Sequence, residues 1–116
     1  MGQLFSSPTP LTPEMAAKIK TEVDAIIADN AIVVFSKSYC PYCTKAKNLL
    51  AQLGANAYII ELDNVDNGAA IQAYLAELTG QRTVPNIFIS QKHIGGCDDL
   101  FKLEKNGQLK TLLAKI

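Results

Sequence analysis

The chain has 116 residues, with eleven Lys and Arg against eleven Asp and Glu, so its formal charge is zero. Hydrophobic residues make up 48% and charged residues 19%, the values of one ordinary globular domain, which exclude a disordered polymer or a fibrous repeat. The charge balance argues against nucleic acid as a partner, because phosphate recognition is built from a basic excess. No apolar run reaches transmembrane length, and the start lacks the basic and apolar sections of a secretory signal, so the expected compartment is cytoplasmic.

Residues 1–13 contain Ser6, Ser7, Pro8, Thr9, Pro10, Thr12 and Pro13, a composition that resists helix and strand and predicts a flexible N-terminal extension. The domain proper is expected over residues 14–116. Met1-Gly2-Gln3-Leu4-Phe5-Ser6 also fits the short N-myristoylation pattern. A single acyl chain without a polybasic patch would give marginal membrane contact only.

Thr12-Pro13-Glu14 is a helix start: a hydroxyl cap, proline at the first helical position, then an acid. Met15, Ile19, Val23, Ile26 and Ile27 share one face of that helix, which closes at Asp29-Asn30. Ala31 to Phe35 is a short β-branched run of the kind buried on both faces of a sheet. A helix over Pro41 to Leu53, with Ala46, Leu49, Leu50 and Leu53 inward, is stopped by Gly54. Ala57 to Leu62 predicts a second strand. Asp66 to Leu78 predicts a third helix with Ile71, Leu75 and Leu78 inward, ended by Gly80. The pattern then changes to a hairpin, Asn86 to Ile89 and Lys92 to Ile94 around Ser90-Gln91, followed by a helix from Asp98-Asp99 to Lys105 and a last one over Gln108 to Ile116. A parallel β-α-β unit followed by β-β-α predicts an α/β fold, a four-stranded mixed sheet flanked by helices on both faces.

Cys40-Pro41-Tyr42-Cys43 falls where the first strand hands over to a helix. Unpaired N–H groups and the positive end of the helix dipole stabilise a thiolate there, and Lys37 adds a cation three residues before Cys40. Cys40 is thus the expected nucleophile, and Cys43, one turn on and pointing inward, the thiol that acts second. Such a pair alone also suits zinc, with His93 and Cys97 as further ligands. About fifty residues with several predicted elements separate the halves, unlike a small zinc module, so no metal site is expected. Two further features join the pair: Thr83-Val84-Pro85, with a proline at a strand entry, and Gly95-Gly96-Cys97-Asp98-Asp99, a glycine pair before an acidic helix start. Cys97 reads equally as a second redox-sensitive thiol or as a small buried side chain.

Over about residues 14–116, Lys37-Ser38-Tyr39-Cys40-Pro41-Tyr42-Cys43, then Thr79-Gly80-Gln81-Arg82-Thr83-Val84-Pro85, then Gly95-Gly96-Cys97-Asp98-Asp99-Leu100 resemble the dithiol glutaredoxins. The resemblance implies a thioredoxin-like fold and glutathione as cofactor. It further implies a monomer that reduces protein–glutathione mixed disulfides and low-molecular-weight disulfides through a glutathionylated Cys40. By the same resemblance, Thr83, Val84 and a cis Pro85 meet the cysteine portion of glutathione, Lys37, Gln72 and Tyr42 its glycine end, and Asp98 and Asp99 its γ-glutamyl end. Asp98 departs from family members with Ser or Thr there, which puts a side-chain hydroxyl contact in doubt. The alternative is a dimeric carrier of a glutathione-ligated [2Fe-2S] cluster. Proline at position 41, where a small residue accompanies cluster binding, favours the reductase.

Overall fold

A computed structural model describes residues 11–116. The myristoylation pattern and most of the expected extension lie outside the described residues. Helix α1 (Pro13–Asp29) starts where the cap predicts, the Thr12 Oγ1 accepting the Met15 N–H at 3.1 Å. Then follow strand β1 (Ile32–Ser36), helix α2 (Pro41–Gln52), strand β2 (Tyr58–Glu61), a 3-10 turn (Leu62–Asn64) and helix α3 (Gly68–Thr79). Strands β3 (Asn86–Ile89) and β4 (Lys92–Gly95) and helices α4 (Cys97–Lys105) and α5 (Gln108–Ala114) complete the chain. Among the described residues, no helix is long and apolar enough to cross a membrane.

The sheet runs β2-β1-β3-β4, with β1 parallel to β2 and β3 antiparallel to both β1 and β4. The mixed α/β sheet predicted from the element order is therefore the one formed, and it has the thioredoxin-like architecture. Every residue of β1 and β3 is buried, which is why their sequences are continuous rather than alternating. Alternation decides which side each serves. Ile32, Val34, Ile87 and Ile89 pack with Ala46, Leu49 and Leu50 of α2, Leu100 of α4 and Leu109 of α5. Val33, Phe35 and Phe88 pack with Ile19, Val23 and Ile27 of α1 and Ile71 and Leu75 of α3. Each fully buried side chain of this kind contributes roughly 1.5–3 kcal/mol, and Phe35 meets Phe88 edge to face at 6.0 Å.

Four expected core positions are corrected. Met15 is 52% exposed and Leu78 47% exposed, each in an end turn of its helix. Leu53 is only half-buried, and Ile26 likewise packs against the edge of its cluster. The second strand is shorter than predicted and lies at the sheet edge, so Tyr58 and Ile59 are exposed and Leu62 enters the 3-10 turn instead. Gly68 is where α3 presses closest on that turn, since a Cβ there would stand 2.8 Å from the Leu62 carbonyl carbon. Gly80 ends α3 in the left-handed conformation (φ 79°). The β3–β4 loop is the predicted two-residue hairpin turn, with positive φ at both Ser90 (51°) and Gln91 (66°).

Candidate active site

β1 ends at Ser36, and the chain turns back on itself through the Cys40 N–H, which donates to the Lys37 carbonyl at 3.1 Å. The turn is braced from outside: the Ser38 backbone N–H donates to Asp63 Oδ1 at 2.9 Å, and the Ser38 hydroxyl donates to Oδ2 of the same carboxylate. Those two bonds hold Asp63 below the usual carboxylate range. Cys40 caps α2, with Pro41 at the first helical position, where its missing N–H costs nothing. The Cys40 sulfur accepts the Cys43 N–H at 3.3 Å, so one of the orphan donors of the helix start is aimed at the sulfur.

Cys43 lies beneath it, fully buried. Burial pushes its thiol up from the ordinary range, outweighing the Lys37 backbone and the Ser36 hydroxyl beside it. Cys43 therefore keeps its proton at neutral pH, as its inward position predicts. The Cys40 thiol donates to the Val84 carbonyl at 3.8 Å, at the edge of an open groove that Val84 lines. That groove, of about 450 Å³, is lined by Tyr42, Gln81, Thr83, Val84, Pro85, Gly96, Cys97, Asp98 and Asp99. The Val84–Pro85 peptide is cis.

Six of the eight residues expected to bind glutathione, namely Tyr42, Thr83, Val84, Pro85, Asp98 and Asp99, thus share one groove. Lys37 and Gln72 are not among its walls. Lys37 is half-buried in the turn before Cys40, and the Gln72 amide donates to the Arg82 carbonyl at 2.9 Å. Asp99 carries a second duty, since its Oδ2 accepts the Gly96 N–H at 3.0 Å and caps α4. Gly95 (φ 119°) lies directly against that carboxylate and has no room for a Cβ. Cys97 lines the groove yet is only 6% exposed and belongs to the core, and burial raises its thiol. These observations favour its packing role over a redox one. His93 is exposed on β4, as a solvent-facing strand residue is, and its Nε2 lies 2.9 Å from Oδ1 of the buried Asn86; partial burial lowers its pKa. Gln81 and Gly96 also line the groove, though the motifs assign a binding role to neither.

A capping thiol that receives a helix N–H, a second thiol kept protonated beneath it, and a groove beside both define a dithiol–disulfide oxidoreductase on a thioredoxin-like fold. The glutaredoxin family model matches residues 32–94. The chain is 55% identical over 95 residues to a glutaredoxin of Ricinus communis, covering 82% of this chain and 93% of the relative. It is 54% identical over 90 residues to glutaredoxin-C2 of Arabidopsis thaliana, covering 78% and 81%. Among solved structures, the buckwheat glutaredoxin–glutathione complex superposes with a TM-score of 0.88 at 46% identity, covering 90% of this chain and 96% of that one. The holo form of glutaredoxin C1 from Populus tremula x tremuloides does so with a TM-score of 0.83 at 39% identity, covering 86% and 90%. The chain belongs to the glutaredoxin family and is an oxidoreductase of that family.

Proposed function

We propose that this glutaredoxin reduces glutathione mixed disulfides of proteins, and small disulfides, with glutathione as the electron donor. The observation that carries this reading is the Cys40 sulfur, which accepts a helix N–H while facing the Val84 wall of the groove. The bond fixes the sulfur at the start of α2, at the edge of the groove, where a disulfide lying in the groove comes within its reach. Cys40 thiolate attacks the glutathionyl sulfur of the substrate. That bond forms as the substrate disulfide breaks, and the released protein thiolate takes a proton from solvent. A second glutathione thiolate then attacks the glutathionyl sulfur on Cys40, yielding glutathione disulfide and returning the Cys40 thiolate. The net reaction consumes one reduced glutathione, and the substrate's glutathionyl group leaves joined to it as glutathione disulfide. On the dithiol route, Cys43 gives up its proton and attacks the Cys40 sulfur, closing the Cys40–Cys43 disulfide as glutathione leaves.

The groove suits a zwitterionic tripeptide. Val84 faces its cysteine portion, the start of α4 with Asp98 and Asp99 its γ-glutamyl end, and Tyr42 with the neighbouring Lys37 and Gln72 its glycine carboxylate. Asp99 has one carboxylate oxygen committed to the Gly96 N–H and the other open to an ammonium group. We place the reaction in the cytoplasm, since it consumes reduced glutathione, and expect the active species to be the monomer. The test is a glutathione-dependent assay on a glutathionylated peptide, coupled to NADPH oxidation through glutathione reductase. Turnover that needs Cys40 supports the reading. No turnover, with visible absorption bands in anaerobically purified protein, would replace it by cluster carriage.

A further inference from the structure

Between α3 and β3 the chain crosses the groove wall on residues 80–85, a stretch outside the sheet ladder. Gln81 spans this stretch. Its side-chain Nε2 donates to the Thr83 carbonyl at 3.0 Å and to the Pro85 carbonyl at 2.9 Å. A primary amide has two N–H donors, and here both are spent on the carbonyls that flank Val84. The amide is itself held from behind. The Gln81 backbone N–H donates to Thr79 Oγ1 at 3.0 Å, and that hydroxyl donates to the Leu75 carbonyl at 2.7 Å. The buried Asn86 amide reaches the same hydroxyl at 3.4 Å. A line of hydrogen bonds thus runs from the end of α3 to the two peptide groups that set where Val84 sits.

We propose that Gln81 is a positioning residue for substrate recognition: its amide staples the Thr83 and Pro85 carbonyls so that the backbone of Val84 is presented to the glutathionyl group at a fixed distance from Cys40. The inference rests on the glutathione reading above. The staple acts on the wall; the nucleophile meets that wall only through its long 3.8 Å contact with the Val84 carbonyl and takes its helix N–H from Cys43. Neither Gln81 nor Thr83 is part of either core cluster, so a change there leaves the packing of the sheet alone. Removing the staple leaves two carbonyls without their donor and lets the wall move. Binding of glutathionyl substrate weakens in ground state and transition state alike, which raises KM and spares kcat.

The experiment compares wild type with Gln81→Ala and Gln81→Glu. Glutamate matches glutamine in shape but turns a carboxylate without donors toward two carbonyl oxygens. The measurements are KM and kcat for a glutathionylated peptide, the rate of iodoacetamide alkylation of Cys40, and backbone 15N relaxation at Thr83 and Val84. The expected result is a KM about three- to tenfold higher with alanine and higher again with glutamate, the scale set by one or two net hydrogen bonds. Alkylation should stay within about twofold of wild type, as the unchanged Cys43 N–H contact requires, and Thr83 and Val84 should become more mobile. An unchanged KM in both variants overturns the inference, as does a loss confined to kcat or shared by alkylation. If wild type itself shows no glutathione-dependent turnover, the functional reading has failed, and relaxation decides the staple on its own: unaltered order at Thr83 and Val84 in Gln81→Ala refutes it.

Discussion

Replacing Cys43 with serine separates the two routes of the cycle. Cys43 is fully buried with the Ser36 hydroxyl and the Lys37 backbone beside it, so a serine hydroxyl finds partners and costs about 1 kcal/mol or less of stability. The bond that supports the nucleophile is untouched, because the donor to Cys40 is the backbone N–H of residue 43. What disappears is the internal thiol. Well-oriented intramolecular groups act at effective concentrations of ~10⁵ M or more. Even if most of that is lost to imperfect alignment, the internal thiol outruns about 1 mM glutathione by several powers of ten. Reduction of a protein disulfide should therefore fall by about a hundredfold or more, since the mixed disulfide now waits for an external thiol. Turnover of a glutathionylated peptide should stay within about threefold of wild type, since there glutathione is the resolving thiol in any case. Both rates are measured on the same preparation in the coupled assay. A Cys43→Ser enzyme inactive toward the peptide, with its melting temperature preserved, would make the dithiol route obligatory and refute the monothiol step.

Gly68→Ala gains about 1 kcal/mol of helix propensity but drives a methyl group into the Leu62 backbone, so chemical denaturation should show a net loss of about 1–3 kcal/mol; a more stable variant would mean that α3 does not press on the 3-10 turn. Lys20 and the Tyr74 hydroxyl hold the Asp24 carboxyl below its ordinary 3.8, so the unfolded chain takes up the proton first and the stabilisation, present above 3.8, is lost as pH falls through the lower folded value. The melting-temperature gap between wild type and Asp24→Asn should accordingly narrow below about pH 4, and an equal gap at neutral and at strongly acidic pH would contradict this. At the hairpin, Gln91 adopts φ 66° as an L-residue and its side chain makes only long contacts of 3.4–3.5 Å to α1 carbonyls. Gln91→Gly should therefore stabilise the fold by about 0.5–1 kcal/mol in urea titration, and destabilisation would show that those contacts outweigh the turn.

The residues that were legible in the sequence are those whose surroundings are local or symmetrical. β1 reads as a buried strand because both its faces are covered, and Thr12-Pro13-Glu14 reads as a helix start because a cap acts within three residues. Cys40 and Cys43 stand as the motif predicts for the same reason, since one helical turn fixes their relation. Apolar content alone does not tell an edge strand from a central one, so the exposure of Tyr58 and Ile59 became visible only with the strand order. Met15 and Leu78 keep helical phase yet are exposed, because phase fixes the face of a helix and not how well each of its turns is covered. Gln81 stands inside the Thr79–Pro85 motif, but nothing in the motif assigns its side chain a role. Its contribution depends on a backbone that curls back to set two carbonyls within reach of one amide, and the carbonyls belong to residues whose side chains are irrelevant to the bond. Asp63 is similar, a surface acid whose partner, Ser38, lies 25 residues away in the chain.

The sulfur chemistry and the groove wall come from separate stretches of the chain. Cys40 and Cys43 belong to the β1–α2 junction, whereas residues 81–85 and 96–99 enter from the α3–β3 and β4–α4 junctions on the other side of the groove. Descendants of this sequence can therefore exchange wall residues one at a time, and with them the thiols that are admitted, without disturbing the helix N–H that supports the reactive sulfur. The two inheritances are independent as long as the central pair of strands, β1 and β3, keeps its register of Val34 opposite Ile87. A shift of that pairing would move nucleophile and wall past each other and alter both at once.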